Sequence, residues 1–280
     1  MYLLVKTLSL ALRALPRGLL DALGALAGLA WYWLVPIRRR VAIDNVSAAL
    51  TGGDRAAAAV IVRHSFVNLC KFTLAFAARC PGDTAGVTVE GDGPLKAAVA
   101  AGKGAIVATA HTGDWDLNEM TGPAIGVHLH VLTRKVHMRG IQRFWEESRT
   151  ARRNVYLPHN TAVTEMLGVL RAGGCLALVY DQNMPPKRGV RVPFFGRDAS
   201  TSFAPAVLHF RTGAPIFPTF GARMPDGRYV IRIHPPLDAM ARTGDLRADS
   251  AAMMTALNRL LEDWIRQYPD QWLWVHRRWK

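Results

Sequence analysis

The sequence predicts an α/β protein with a mainly parallel central sheet, flanked by helices and preceded by an N-terminal hydrophobic helix. Short apolar runs that are typical of buried strands alternate along the chain with amphipathic segments of helical period. Of the 280 residues, 50% are hydrophobic, which suffices for a sizeable core and excludes wholesale disorder. Neither internal repeats nor low-complexity segments interrupt this pattern.

The N-terminal region carries an apolar run over residues 22–37, about 16 residues long. This is short of the roughly 20 residues that span a bilayer. Aromatic residues at 31–33 and arginines at 38–40 follow in an order typical of a segment at the headgroup interface. We therefore predict a membrane-associated helical segment over 1–40 and a second domain over 41–280. A buried helix is the alternative, and spanning the membrane or lying on it are both open.

The first elements of the second domain follow from periodicity. Residues 54–79 carry apolar side chains at three- and four-residue spacing, which predicts an amphipathic helix. Residues 86–90 alternate like a strand, end at a Gly-Asp-Gly-Pro turn and lead into a predicted helix over 95–101. Residues 105–110 form a continuous apolar run of the kind that is buried on both faces of a sheet.

The same alternation continues to the end of the chain. Strands are predicted over 127–133, 155–157, 175–180, 215–220 and 229–234. Helices are predicted over 139–152, 161–172, 202–211 and 250–268. A Pro-Asp-Gly turn at 225–227 predicts a hairpin between the last two strands. Because the other strands are separated by helices, the sheet is predicted to be mainly parallel.

The charge is strongly positive, with 35 Lys and Arg against 21 Asp and Glu, a net charge of +14. Such a surplus favours a negatively charged partner, which includes nucleic acid, an anionic membrane, an acidic protein and a phosphorylated substrate. We predict no nucleic-acid partner, because the charges are scattered and no recognised nucleic-acid module is present. The three cysteines, Cys70, Cys80 and Cys175, lack CxxC spacing, which argues against a disulfide scaffold and a thiolate zinc site.

Polar residues follow two of the predicted buried strands abruptly. His111-Thr-Gly-Asp-Trp-Asp116 follows the strand 105–110, and Asp181-Gln-Asn follows 175–180. Open α/β sheets bind ligands at the carboxyl ends of their strands. Five helical steps rotate two residues by about 140° from each other, so Asp116 reaches His111 only if Gly113 makes a turn.

We predict such a pair, in which Asp116 fixes the tautomer of His111 and leaves one ring nitrogen free as a general base. The backbone N–H groups of the same helix start are expected to hold a developing oxyanion. An incidental match of a short motif is the competing interpretation.

The motif HTGDWD resembles the H-x4-D/E motif of the bacterial lipid A biosynthesis (lauroyl/myristoyl) acyltransferases, within the lysophospholipid acyltransferase superfamily. Further segments that resemble this family are 38–50, 63–69, 181–201 and 271–280. The resemblance implies transfer of a fatty acyl group from a thioester of acyl carrier protein or CoA to a hydroxyl of a lipid acceptor. His111 would be the base and Asp116 the residue that orients it. It also implies the cytoplasmic face of a bacterial inner membrane.

The last motif position departs from the lipid A enzymes, which usually carry Glu where this chain has Asp116. Aspartate is more usual in related transferases, including those that act on glycerol- and inositol-based lipids. A lipid A precursor and a glycerol- or inositol-based lipid therefore both stay open as acceptors. A thioester hydrolase with the same two residues, and a basic membrane- or polyanion-binding protein without activity, are the remaining alternatives.

Four further residues are predicted to contact the substrate. Arg149 and Arg152 lie about one helix beyond the motif, and Arg134 directly follows a strand. A guanidinium group binds two phosphate oxygens at once, although ordinary surface charge explains arginines equally well. Asp181 ends a buried strand, where it is expected either to pair with one of these arginines or to cap a loop.

The sequence predicts neither a metal nor a cofactor other than the acyl donor. His128 and His130 lie on one face of a strand, but no nearby carboxylate or cysteine completes a ligand set. GxSxG, P-loop and GxGxxG motifs do not occur. Phe194 and Phe195 are expected to pack a loop over a groove for the acyl chain.

Overall fold

A seven-stranded sheet organises the computed structural model, which describes residues 1–80, 83, 85–150, 152–237 and 242–280. Its strands are β1 Val87–Glu90, β2 Ala105–Thr109, β3 Leu129–Thr133, β4 Val155–Pro158, β5 Cys175–Val179, β8 Ile216–Arg223 and β9 Tyr229–Ile233. They lie in the order β1-β9-β8-β2-β5-β3-β4. Strands β8, β2, β5, β3 and β4 run parallel, whereas β9 is antiparallel to β8 and β1 runs with β9. The predicted mainly parallel sheet is confirmed.

Helices cover the sheet and form the N-terminal region. They are α1 Tyr2–Arg13, α2 Arg17–Leu34, α3 Arg39–Ala49, α4 Arg55–Ala78, α5 Gly93–Ala100, α6 Trp115–Asn118, α7 Thr121–Ile125, α8 Arg139–Thr150, α9 Val163–Arg171, α10 Ala204–Thr212 and α11 Leu246–Gln267. The two longest begin at capping aspartates, since Asp54 and Asp245 each accept two backbone N–H groups of the first turn.

The two faces of β2 explain its continuous apolar sequence. Ile106 and Ala108 belong to the larger core, which also contains residues from α4, α10 and α11. Ala105 and Val107 face a second apolar cluster on the other side of the sheet. Because successive side chains of a strand point to opposite faces, a central strand that is covered on both sides is mostly apolar, and in β2 the polar residue Thr109 stands at the end.

A hairpin that was not predicted lies outside the main sheet. It consists of β6 Gly189–Phe194 and β7 Arg197–Ser202, which are antiparallel. Phe195 and Gly196 form its turn with φ of 50° and 68°, and positive φ at both central positions gives the twist that short hairpins favour. Phe194 is fully buried in the core against the rings of Trp272 and Trp279.

The predicted N-terminal hydrophobic helix is divided into α1 and α2, with Pro16 as the residue that precedes α2. Helix α2 packs closely along α4, because a Cβ atom at Gly24 would lie 2.7 Å from the Cα atom of Lys71. Helix α1 contacts α8 through Tyr2, whose hydroxyl hydrogen-bonds the carboxylate of Glu147. The first helices are therefore packed against the rest of the fold.

One helix of the described ranges, α4, is long and apolar enough to cross a membrane by length and composition alone, with a mean hydropathy of 1.3. Helices α2 and α3 qualify only as a pair, and they are bent by 95°. Val62 and Phe66 of α4 have no exposed surface. Its Ser65 and Asn68 donate hydrogen bonds to residues 272 and 270 of the C-terminal segment. Helix α4 thus contributes to the core beside the sheet.

Candidate active site

The register of two neighbouring strands brings His111 and Asp181 together. Strands β2 and β5 are parallel neighbours in which Thr109 lies opposite Val179. The pairing continues for one residue, because the N–H group of Tyr180 donates to the carbonyl of Thr109 at 3.1 Å. His111 and Asp181 each follow two residues after these paired positions, so they leave the sheet side by side at its carboxyl edge.

Asp181 holds the imidazole of His111 in one orientation. Its Oδ1 lies 2.8 Å from His111 Nδ1, and its Oδ2 accepts the backbone N–H of His111 at 3.0 Å. The indole N–H of Trp272 donates to the same Oδ2 at 2.8 Å. The side chain of Asp181 is 2% exposed and that of His111 is 19% exposed. This arrangement places the proton on Nδ1 and leaves Nε2 as the accessible acceptor.

The same contacts keep Asp181 ionised. Burial by itself would raise the pKa of Asp181, but the charge of His111 and hydrogen bonds from His111 and Trp272 hold it at about 2. A carboxyl pKa that is lowered by folding stabilises the native state above the unfolded pKa of about 4. That contribution is lost only as the pH falls towards 2, so Asp181 is an anion at neutral pH.

The Nε2 side of His111 faces a polar and an aromatic neighbour. The side-chain nitrogen of Gln182 lies 3.3 Å from Nε2, where it can donate a hydrogen bond to the free lone pair. The ring of Trp115 packs edge-on at 5.5 Å between centroids. A hydroxyl substrate that uses His111 as a base must replace the Gln182 contact.

The C-terminal segment 271–280 lies against the turn after β2. Leu273 N–H donates to the carbonyl of His111 at 3.2 Å, and Gly113 N–H donates to the carbonyl of Gln271 at 2.7 Å. Asn45 of α3 donates to the carbonyls of residues 274 and 276, both at 2.8 Å, which fixes the segment from the other side. Trp272 is thus part of the site, although sequence reasoning noted it only within the tail that resembles the family.

Asp116 lies elsewhere than predicted. Gly113 makes the expected turn with φ of 56°, but α6 then directs Asp116 towards α8. There its carboxylate accepts hydrogen bonds from Arg152, from Arg149 at 3.4 Å and from the indole of Trp145 at 3.0 Å. Its recorded hydrogen bonds within the described ranges do not include His111. The carboxylate that orients the imidazole in this structure is therefore Asp181 and not Asp116.

Arg149 and Arg152 belong to a buried charge cluster with Asp116 and Glu119. Arg149 donates to Glu119 at 2.6 Å and to the hydroxyl of Thr133 at 2.8 Å, and Arg152 donates to Glu119 at 3.0 Å. The side chains of Arg149 and Arg152 are 11% and 3% exposed, and their charges neutralise these two carboxylates. This differs from the predicted phosphate contacts.

The other two predicted substrate contacts also change. Arg134 is exposed at the carboxyl end of β3, with no hydrogen bond or ion pair recorded to the described part of the chain. Asp181 pairs with the imidazole of His111 rather than with an arginine.

The predicted oxyanion donors are partly occupied. The N–H of His111 binds Asp181, that of Thr112 donates to Ala110 at 2.8 Å, and that of Gly113 donates to Gln271. Backbone donors of the motif would therefore have to come from residues 114–116. Within the described ranges, no group of three or more His, Cys, Asp or Glu side chains is placed to hold a metal ion.

Asp114 is the carboxyl group of the motif whose buried negative charge is stabilised least by neighbouring groups. It is 5% exposed, and the backbone N–H of Leu117 offsets only a small part of the cost of burying its charge. Burial and the neighbouring charge of Asp116 raise its pKa to about 7. Asp114 therefore exchanges its proton near neutral pH, unlike Asp181.

Replacing Asp114 with asparagine is expected to stabilise the protein at pH 8 relative to wild type. The raised pKa means that the native carboxyl group favours folding below pH 4 and loses this advantage as the pH rises through 7. The difference should reach a few kcal/mol, roughly 1.4 kcal/mol for each pKa unit. Chemical unfolding of both proteins between pH 4 and 8 measures it. If the difference in unfolding free energy between the two proteins does not change with pH, the pKa of Asp114 is not raised by folding.

Comparison with known families identifies the chain. The model of the bacterial lipid A biosynthesis acyltransferase family matches residues 1–280. The chain belongs to this family. The resemblance noted in the motif and in the tail is thereby confirmed.

Curated relatives in this family act on different lipids by name. The chain is 29% identical over 116 residues to a lipid A biosynthesis lauroyltransferase of Escherichia coli, covering 41% of the chain and 37% of the relative. It is 27% identical over 194 residues to a phosphatidylinositol mannoside acyltransferase of Mycolicibacterium smegmatis, covering 66% and 60%. A Mycobacterium tuberculosis enzyme of the same name is 29% identical over 191 residues, covering 66% and 57%. The chain thus matches less than two thirds of each relative's length.

Proposed function

We propose that this protein is an O-acyltransferase that moves a fatty acyl group from an acyl thioester to a hydroxyl of a membrane lipid. Membership of the lipid A acyltransferase family supports the reaction class. The observation that carries the proposal is the partly exposed imidazole of His111, which the buried carboxylate of Asp181 holds at Nδ1 and which the side chain of Gln182 contacts at Nε2. The donor is a thioester of acyl carrier protein or CoA, and the reaction needs no further cofactor.

The reaction follows from this geometry. Nε2 of His111 takes the proton of the acceptor hydroxyl while the oxygen attacks the thioester carbonyl carbon. The tetrahedral intermediate expels the thiolate, which receives the proton from the imidazolium. Asp181 stabilises the positive charge that His111 carries between these steps. General-base catalysis contributes about 10²–10⁴-fold, so positioning of the two substrates must supply the remaining acceleration.

The acceptor is either a lipid A precursor or a glycerol- or inositol-based lipid. The family name and the lauroyltransferase support the first acceptor. Aspartate at position 116 and the longer matched regions of the phosphatidylinositol mannoside acyltransferases support the second. Arg134, exposed at the carboxyl end of β3, is available to contact a phosphate of either lipid.

Purified protein with labelled acyl thioesters tests the reaction. Acyl carrier protein and CoA thioesters are each incubated with a lipid A precursor, with a phosphatidylinositol mannoside, and without acceptor. Label in one of the lipids is the expected result and identifies donor and acceptor. Free fatty acid without labelled lipid would instead identify a thioester hydrolase, and absence of both products would favour a protein without this activity.

The N-terminal helices are proposed to hold the protein on the cytoplasmic face of a bacterial inner membrane. Several apolar side chains of α1 and α2 are exposed, of which Leu26 and Leu34 are 66% and 77% exposed. Arginines 38–40 follow α2 and would face anionic headgroups. Exposed leucines next to basic residues are typical of helices that lie in the interface.

Replacing Leu26 and Leu34 together with glutamate is expected to move the protein from the membrane fraction to the soluble fraction. Two carboxylates on the apolar surface oppose insertion and repel anionic lipids. Flotation with vesicles that contain anionic lipid measures the change. Glutamate at Val155 and Val163, which are exposed on β4 and α9, is the matched control and should leave flotation unchanged. Equal flotation of both double variants would show that the membrane contact lies elsewhere.

A further inference from the structure

A basic cavity lies beside the turn that carries His111. Its volume is about 460 Å³, and it is enclosed by the junction of α1 and α2, the C-terminal half of α4, the end of β8 and the turn after β2. His111 and Asp181 do not line it, whereas Asp114 of the same turn does. The cavity is therefore separate from the His111–Asp181 pair but shares a short segment with it.

Among the side chains of the cavity that have no ion-pair partner in the described part of the chain, cations outnumber carboxylates. Five cations line it: Arg13, Arg17, Lys71, Arg79 and Arg223. Arg223 is bound at 2.9 and 3.0 Å by both oxygens of Asp21, and Asp226 of the rim is paired with Arg228 at 2.7 Å. This leaves four cations without an ion-pair partner among the described residues and two carboxyl groups, those of Asp83 and Asp114. Asp114 is only partly ionised at neutral pH, because its pKa is about 7.

Two of these cations have polar atoms without a protein partner. The buried Nε atoms of Arg13 and Arg79 have no hydrogen-bond acceptor among the residues that the structure describes. Burial also lowers the pKa of Arg79, which measures the cost of keeping its charge away from water. The side chain of Asp114, nineteen-twentieths buried, lines the same cavity. A bound anion would accept hydrogen bonds from the two Nε–H groups, and from the carboxyl group of Asp114 when that group is protonated.

We propose that this cavity binds a phosphate group of a substrate through its four unpaired cations. Guanidinium groups bind phosphate oxygens in pairs, and a lysine adds a point charge. The lipid acceptor is the expected source, because the cavity is bordered by α1 and α2, whose exposed leucines form the surface proposed to contact the membrane. Naming the acceptor as the source rests on the proposed function, whereas phosphate binding itself does not.

Calorimetric titration of the full chain in uncharged detergent and phosphate-free buffer tests this site. The probes are dihexanoyl phosphatidic acid, which carries a phosphate monoester, and coenzyme A. The test variant replaces Arg17 and Lys71 with glutamine, which keeps side-chain length and removes two of the unpaired cations. The matched control replaces Arg171 and Lys103 with glutamine, since both are exposed at the opposite edge of the sheet.

We expect the test variant to bind dihexanoyl phosphatidic acid at least about tenfold more weakly than wild type and control, since charged hydrogen bonds are lost. Unchanged binding of coenzyme A would then identify the lipid headgroup as the ligand. If only the binding of coenzyme A is weakened, the cavity is still a phosphate site, but its ligand is the acyl donor and not the lipid. Equal affinities in test and control variants for both probes, or no binding to wild type, overturn the proposal.

The same titration with His111→Ala separates this proposal from the proposed reaction. Binding needs no turnover, so the expected affinity of the His111→Ala variant equals that of wild type. If the protein binds phosphate in the cavity but transfers no acyl group, only the proposed reaction is contradicted. If it transfers acyl groups but binds no phosphate there, only the proposed phosphate site is contradicted.

Discussion

Replacement of His111 with alanine is expected to reduce acyl transfer severely while the protein remains folded and bound to membranes. In the proposed reaction the imidazole accepts the hydroxyl proton at Nε2, while Asp181 holds its Nδ1. Loss of the general base alone lowers the rate by about 10²–10⁴-fold. Initial rates at saturating acceptor and donor measure this change, and thermal unfolding reports the fold.

His128→Ala is the matched control for this variant. His128 is exposed at the amino end of β3, on the other edge of the sheet, where its Nδ1 lies 3.1 Å from the backbone carbonyl oxygen of Arg153. Its replacement should leave turnover near that of wild type. Turnover of the His111 variant at the same level as this control would remove His111 from the mechanism.

Replacing Asp181 with asparagine is expected to lower kcat, whereas replacing Asp116 with asparagine is expected to lower the stability of the fold. Asparagine at 181 keeps the size of the side chain but no longer stabilises an imidazolium or fixes the Nδ1 proton, so kcat should fall by up to about 10⁴-fold. Asparagine at 116 removes one of the two buried carboxylates that pair with Arg149 and Arg152 and leaves Glu119 as their remaining counter-charge. Breaking a buried ion pair costs about 3–5 kcal/mol of unfolding free energy.

Steady-state kinetics and chemical unfolding of both variants separate these roles. The Asp181 variant should keep a KM for the acceptor close to that of wild type, because the loss lies in the chemical step. The Asp116 variant should unfold at lower denaturant concentration, with activity lost in proportion to folded protein. A variant at 116 that is fully stable but inactive would return the orienting role to Asp116.

The sequence located the ends of the two strands that carry the site. Residues 105–110 and 175–180 are continuous apolar runs that end in a polar residue, which is the pattern of a buried strand that reaches a ligand-binding edge. The mainly parallel sheet followed from alternating elements in the same way. The hairpin β6–β7 was not predicted, because it lies outside the sheet and its turn depends on a positive φ at Phe195.

The partners of the site residues could not be predicted from local spacing. Two strands, β3 and β4, separate β2 from β5 along the chain, yet β2 and β5 are neighbours in the sheet. Only that strand order places Asp181 beside His111. Asp116 is near His111 in sequence, but the start of α6 at Trp115 turns its side chain towards α8.

The sequence by itself determined the fold class, the family and the residue that is proposed to act as the base, because these depend on hydrophobic period and on a motif of adjacent residues. The tertiary structure decided which carboxylate orients that base, that two of the predicted phosphate-binding arginines neutralise buried acids, and that four other cations line a cavity without an ion-pair partner in the described ranges. Charges interact through space, and their partners are set by strand order and helix packing rather than by distance along the chain.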